Sequence, residues 1–337
     1  MVIQTAEVGA LQGVVAIGAS AGGVEALSNV AAGLTPDVPY AYLMVLHVPA
    51  GAPSILARIV DRSGPLPATA PENGATLEPG HIYVGVPDRH LLVADHRVLL
   101  SQGPTENGHR PAINALFRSV ALAFGTRAIA VLLSGVLDDG VLGLGAIRSR
   151  GGVTIGQLPE DAMFPAMPTN AAEAGVVDRQ AAAADIGAVL KELSHREIED
   201  SDMERDSAIE LENKIAMMSR FATDFDTEKL GVPSGYTCPD CNGSLVSISE
   251  GNFRCQVGHA WTAEALLGAR DTEIEGAMWV AVRSLQEKAR LARDMAGRTE
   301  TGLLSRRYTA IAEETERALA LLSERLSETA RHRDEAG

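Results

Sequence analysis

Ser20 lies in Gly18-Ala19-Ser20-Ala21-Gly22, directly after the apolar run Val14-Val15-Ala16-Ile17 and before Gly23-Val24-Glu25-Ala26-Leu27, which reads as a helix. A strand that bends through small residues into a helix presents a serine hydroxyl at the carboxyl edge of a sheet. The helix start aims free N–H groups and its positive dipole end at the same point, so a nucleophile and part of an oxyanion site could share it. The same residues also read as a phosphate-cradling turn, because Gly18-x-Ser20-x-x-Gly23 is a dinucleotide fingerprint with its middle glycine replaced. Two further run ends carry polar residues. His47 follows Ala41–Leu46, and Asp138 and Asp139 follow Ala128–Leu133. Serine, histidine and aspartate at neighbouring strand ends supply a nucleophile, its general base and the carboxylate that orients the imidazole.

Each residue taken singly has a plainer role. A histidine at a strand end is often structural, and Asp138 or Asp139 before Gly140 could cap the next helix. The conjunction is what points to catalysis. Its chain order, Ser–His–Asp, differs from the Ser–Asp–His order of ordinary α/β-hydrolases. His81, His90 and His96 fall in a hairpin-like region and read as surface residues. His109, beside Arg110 and Pro111, is a second histidine candidate, with Arg110 able to bind a carboxyl or ester oxygen.

The three cysteines make a different chemistry. Cys238-Pro239-Asp240-Cys241 is followed after 13 residues by Cys255, and His259 stands four places beyond it. A CxxC knuckle and a Cys–His pair bracketing a short hairpin (Ser244–Ser249, Phe253–Arg254) suit tetrahedral Zn²⁺. Four protein ligands would close the site, making it structural, and so small a module would need the metal to fold. A redox CxxC, or three incidental cysteines, is the alternative.

These groups need elements to position them. Residues 13–190 alternate strand-like and helix-like segments, which predicts a doubly wound, mostly parallel sheet in a three-layer α/β/α domain. The predicted strands are Val14–Gly18, Ala41–Leu46, Ala128–Leu133 and Val153–Gly156, with His81–Val93 and Arg97–Leu100 as hairpin segments that turn at Pro87-Asp88 and Ala94-Asp95. Helices are expected from the first turn to about Ala32, around Ser54–Asp61, after Arg110, over Gly140–Ser149 and over Ala181–Ser194. Residues 191–234 are expected to be an acidic linker, helical through Ile209–Met218; within 191–230 there are 12 Asp or Glu against 6 Lys or Arg, which favours a solvated tether. Residues 235–262 form the cysteine module. Residues 263–330 are expected to be a helical hairpin, with Ile274, Met278, Ala281, Leu285, Ala289 and Ala292 on one apolar face. Tyr308, Ile311, Thr315, Leu319, Leu322 and Leu326 line the facing stripe.

The whole chain of 337 residues bounds the reading further. A net charge of −15 disfavours nucleic acid and anionic membrane surfaces as partners. Neither a membrane-length apolar run nor a signal peptide is visible, and the clustered cysteines fit a reducing, cytoplasmic setting.

Residues from about 13 to 190 resemble the catalytic domain of CheB-type chemotaxis protein-glutamate methylesterases. The matching stretches are Ile17–Gly23, His47-Val48-Pro49, Gly80–Val84, His109-Arg110-Pro111, Leu133–Gly140 and Met167-Pro168. The resemblance implies Ser20 as nucleophile, His47 as base and Asp139 as orienting carboxylate, with no cofactor for catalysis. It implies backbone N–H donors at Ala21 and in the Gly135–Leu137 loop, Val136 among them. The implied substrate is a γ-glutamyl methyl ester on a chemoreceptor or similar signalling protein, with glutamine deamidation by the same triad or a non-catalytic scaffold as alternatives. A methyltransferase or a sensor kinase is an implied partner. Two departures stand out: Val136-Leu137 replaces the family's usual Met-Gly, and too few residues precede the first strand for the receiver domain that many members carry. A zinc-bearing tail occurs on some similar stand-alone proteins, where a docking or assembly role is expected.

Overall fold

The runs of β-branched and small apolar residues in Gly13–Ala19, Tyr40–Leu46 and Ala128–Leu132 are buried at every position, as the middle of a parallel sheet covered on both faces requires. The computed structural model describes residues 11–198, 206–218, 231–299 and 302–336. Seven parallel strands stand in the order β3-β4-β2-β1-β7-β8-β9. They are β1 (Gly13–Ala19), β2 (Tyr40–Leu46), β3 (Ala68–Thr69), β4 (Ile82–Val84), β7 (Ala128–Leu132), β8 (Val153–Gln157) and β9 (Arg179–Ala181). The chain passes from β1 to β2 on one side and later returns to β7 on the other. That reversal is a topological switch point, where the carboxyl ends of the strands open a crevice.

Helices α1 (Gly23–Gly33), α2 (Leu56–Ser63) and α6 (Ile186–Leu193) cover one face over a core that includes Ile17, Leu27, Tyr42, Met44, Val131 and Ile186. Helices α3 (Ile113–Phe124) and α4 (Val141–Ser149), with the hairpin β5 (His90–Ala94) and β6 (Arg97–Ser101), cover the other over Ala16, Leu43, Leu116, Phe117 and Leu132. The hairpin segment His81–Val93 turns at Pro87-Asp88, as expected, but its first half leaves the hairpin. Gly85-Val86-Pro87 interrupts it, so Ile82–Val84 joins the parallel sheet and only His90–Ala94 enters the hairpin. Helix α5 (Ala166–Glu173) and the short strands β3 and β9 carry too few residues to show a period in the sequence. The last helix starts at Ile186 rather than Ala181, because Arg179–Ala181 pairs with β8.

The expected tether departs most from expectation. Helix α7 (Ser207–Met217), capped by Asp206, packs against the first domain: Ser101 Oγ donates to Ala216 O, and the carboxylate of Glu212 pairs with Arg254 and Arg118. Glu212 is partnered across the fold and Ile215 and Ala216 are buried, so the helix is docked rather than a solvated tether; residues 199–205 and 219–230 of that segment lie outside the described residues. An antiparallel sheet β10 (Val232–Thr237), β11 (Ser244–Ser249), β12 (Asn252–Cys255) and β13 (Ala260–Thr262) carries the cysteines and belongs to the same compact unit.

Two long helices, α8 (Ala263–Arg298) and α9 (Leu303–Ala336), follow. Ala289, Ala292, Ala312, Thr315 and Leu326 are buried, and Arg293 pairs bidentately with Glu316, as expected of two facing stripes. Ile274 does not join the stripe and is exposed. No helix among the described residues is long and apolar enough to cross a membrane.

Candidate active site

Three strand ends converge at the switch point. Ser20 follows β1, and its N–H donates to Ser134 O at 2.9 Å, which ties the first turn to the loop after β7. Gly22 then adopts φ +70°, and a Cβ there would come within 2.8 Å of Ser134 Oγ, so only glycine lets the chain bend into α1. Gly18 serves a different need. Any side chain on it would collide with Ile113, so its absence lets the start of α3 approach the sheet.

That approach places the carboxylate. Asp139 Oδ2 accepts the Ile113 N–H at 2.7 Å and Oδ1 the Asn114 N–H at 3.2 Å, the unpaired donors of the α3 N-terminus. Oδ2 also lies 2.7 Å from His47 Nε2, and His47 Nδ1 lies 3.1 Å from Ser20 Oγ. Asp139 is almost fully buried. Burial alone would raise its pKa, but the hydrogen bond and charge of His47 and the Ile113 N–H outweigh it and hold the carboxyl below the ordinary range. An ionised Asp139 keeps the proton on Nε2, leaving the Nδ1 lone pair facing the serine hydroxyl.

His109 stacks flat on His47, ring centres 3.8 Å apart and planes 8° from parallel. Burial, and then the neighbouring His47, push its pKa down to about 4, with Asp139 opposing, so it is neutral at neutral pH. A neutral ring against the face of His47 adds a π surface to an imidazole that would become cationic on taking a serine proton.

Among the described residues, the N–H groups of Ala21 and Val136 donate to no protein acceptor, as an oxyanion site requires. The Gly135 backbone lies directly against Ser20. Leu137 holds φ +64°, a conformation glycine adopts without cost, which accounts for the glycine usual there in the resembled family. Its carbonyl is held by Asn170 Nδ2 at 2.9 Å. Asp138 faces away from the triad and accepts Thr262 Oγ1 at 2.8 Å. Burial first, then the Glu264 and Asp139 charges, raise its pKa to about 6 against the opposing Thr262 hydrogen bond.

Arg110 stands at the wall of a cleft of about 390 Å³ with His47, Pro49 and His109. Its guanidinium is engaged by Asp88 and by Gly103 O, so it shapes the wall rather than waiting for an ester oxygen. A second cleft of about 400 Å³ opens beside Gly22, Ser134 and Gln157. His90 corrects the surface reading. It is fully buried, with Nε2 donating to Pro104 O and Nδ1 accepting the Ala112 N–H. His81 is half-buried against Thr69, and His96 is exposed.

Two supporting residues escaped the sequence reading. Asn114 Oδ1 accepts the Gly140 and Gly143 N–H groups and locks the loop after β7 to α3. Gln157 Oε1 accepts the Ser134 N–H. Gln157 ends a strand, so the rule that found His47 reaches it; nothing in the spacing marks Asn114.

Cys238, Cys241, Cys255 and His259 form a separate cluster whose donor atoms all lie within 4.8 Å of one another. Cys241–Cys255 measures 3.7 Å, Cys238–His259 3.6 Å and Cys255–His259 3.4 Å. A tetrahedron with Zn–S bonds of about 2.3 Å has edges of about 3.7 Å, so the donor set fits a metal ion.

A parallel sheet with a Ser–His–Asp constellation at its switch point defines a doubly wound α/β fold. The CheB methylesterase family model matches residues 15–190, just over half the chain, and the chain belongs to that family. A protein-glutamate methylesterase/protein-glutamine glutaminase of Anaeromyxobacter dehalogenans is 40% identical over 167 residues, 49% of each chain. One from Caulobacter vibrioides is 37% identical over 185 residues, 54% of each. The CheB methylesterase catalytic domain of Thermotoga maritima superposes with a TM-score of 0.52 at 29% identity, over 54% of this chain and 98% of that one. The chain spans about half the length of the curated relatives it matches.

Proposed function

We propose that this chain is a serine hydrolase that removes the methyl group from glutamate γ-methyl esters of a chemoreceptor or related signalling protein. The observation that carries the reading is the hydrogen-bonded series Ser20 Oγ–His47–Asp139 at the switch point. Ser20 Oγ attacks the ester carbonyl carbon while His47 Nδ1 takes its proton. The oxyanion forms against the Ala21 and Val136 N–H groups, and His47 returns the proton to the departing methanol. Water, deprotonated by His47, then cleaves the acyl-serine and frees the glutamate carboxylate. Asp139 orients the ring and balances its charge, and His109 supports it from the side.

A second reading is favoured by the double name of the relatives. A glutamine amide attacked by the same serine would release ammonia instead of methanol. We read the cysteine cluster as a structural Zn²⁺ site, since all four positions of a tetrahedron are filled by protein. Three thiols kept as ligands suit a reducing compartment, which supports a cytoplasmic reading.

Ser20→Ala should abolish methanol release from a methylated receptor and labelling by a fluorophosphonate. His47→Gln should cut labelling by about a thousandfold or more. Methanol release at the wild-type rate from Ser20→Ala would overturn the mechanism, and ammonia release from an unmodified receptor would shift the reading to deamidation.

A further inference from the structure

The cysteine module is built into the wall of the candidate active site. Segment 105–107 runs beside β13 as an additional bridge: Ala260 N–H donates to Thr105 O at 3.1 Å, and Asn107 N–H to Ala260 O at 2.8 Å. Asn107 Oδ1 in turn accepts the Thr262 N–H at 2.9 Å, and Thr105 Oγ1 donates to Asp240 Oδ2, inside the CxxC knuckle, at 2.8 Å. The turn continues into Gly108, against which Trp261 packs, and then into His109, whose N–H donates back to Glu106 O at 2.9 Å. This is the residue stacked on His47.

Charge fastens the same contact. Arg254, next to Cys255, is buried to 1% exposure and donates to Gly258 O within the Cys255–His259 turn. Its guanidinium pairs with Glu212 and lies 3.9 Å from Glu106, which itself pairs with buried Arg118. The other loop of the site is tied as well. Thr262 Oγ1 holds Asp138, the neighbour of Asp139, while Glu264 accepts from Asn170, which also holds the Leu137 carbonyl.

We propose that the metal-loaded Cys238–Cys241–Cys255–His259 module is a positioning clamp for catalysis: it fixes the 105–109 turn so that His109 stays stacked on His47, and it steadies the 137–139 loop. The metal sets the shape of the Cys255–His259 turn, and that turn delivers Arg254, Ala260 and Thr262 to the site. His109, Asn107 and Thr262 are positioning residues that act through His47 and Asp139. The clamp rests on the proposed hydrolase reading, but its physical content is a coupling between metal occupancy and the order of one loop.

The test uses the full chain loaded with Zn²⁺, then stripped by a chelator, then reloaded. Fluorophosphonate labelling of Ser20 and amide hydrogen exchange are followed together. Stripping should slow labelling by about tenfold to a hundredfold, as expected when a catalytic ring loses its alignment. Exchange at Asn107, His109 and Ala260 should rise, that in β1 and β2 should stay slow, and reloading should restore both readouts. Because ligand variants could unfold the module, Thr262→Val and Asn107→Leu supply independent arms. Both should keep full zinc stoichiometry yet lower kcat about threefold to tenfold with KM unchanged. His109→Phe, which keeps a stacked ring, should retain more kcat than His109→Ala. Unchanged labelling and unchanged loop exchange in the stripped protein would overturn the clamp while leaving the hydrolase reading intact. A loaded protein that never labels at Ser20 would overturn the hydrolase reading, and the exchange arm would still decide whether metal orders the loop.

Discussion

The parallel sheet and the cysteine module fold by different means, although they share one compact unit. Strands β1, β2 and β7 are buried at every position, and each large apolar side chain there contributes roughly 1.5–3 kcal/mol on leaving water. The module buries Leu245, Trp261 and two cysteines, and its largest fully buried side chain is the charged Arg254. An apolar core tolerates loss of one contact by partial relaxation. A metal cluster and a buried ion-pair network fail together when one member is removed.

The sharpest way to break this comparison pairs two variants. Ile17→Ala, in the middle of β1, should lower the stability of the sheet by about 2–5 kcal/mol in a denaturant titration and leave zinc stoichiometry unchanged. Cys255→Ser should do the reverse, abolishing zinc binding and exchange protection over 232–262 while the sheet keeps most of its unfolding free energy. Collapse of both regions in both variants would show that they are one cooperative unit.

A smaller effect sits at the seam. The Asp138 carboxyl ionises at about 6 in the folded protein, above its ordinary value of 3.8. The folded state therefore binds this proton more tightly than the unfolded chain. That contribution is fully present below pH 3.8 and is lost as pH rises through 6. Asp138→Asn, which still accepts from Thr262, should add roughly 2 kcal/mol at pH 8 and remove this part of the pH dependence. Equal pH profiles for the two proteins would place the seam in water.

The smallest effect is local to the sheet's own loop. Leu137→Gly should relieve the left-handed backbone and raise stability by less than about 1 kcal/mol, since the unfolded chain gains freedom at the same time. A destabilised variant would mean that the leucine side chain outweighs the strain.

What the sequence made legible follows the same division. Ser20, His47 and Asp139 could be found because parallel strands bring their carboxyl ends to one edge, so position along each strand is enough. The four candidate metal ligands lie within 22 residues, where spacing carries the geometry. The misread acidic segment shows the limit. Glu212 finds Arg254 42 residues away and Arg118 on another helix, and no local pattern announces either partner. His90 fails for the same reason, since its partners are backbone groups of Pro104 and Ala112 brought near only by the fold. That Ile82–Val84 joins the parallel sheet is decided by its pairing with distant β2, and Asn114 is one of three polar residues in α3, with no pattern that singles it out.

The switch point also sets when the site can exist during synthesis. Ser20 and His47 are 27 residues apart, but Asp139 follows His47 by 92. The carboxylate must leave the ribosome and β7 must dock beside β1 before the three groups can meet. A nascent chain therefore carries its serine and histidine through a further 92 residues without a complete site, and the three groups meet only once the central strand pair has closed.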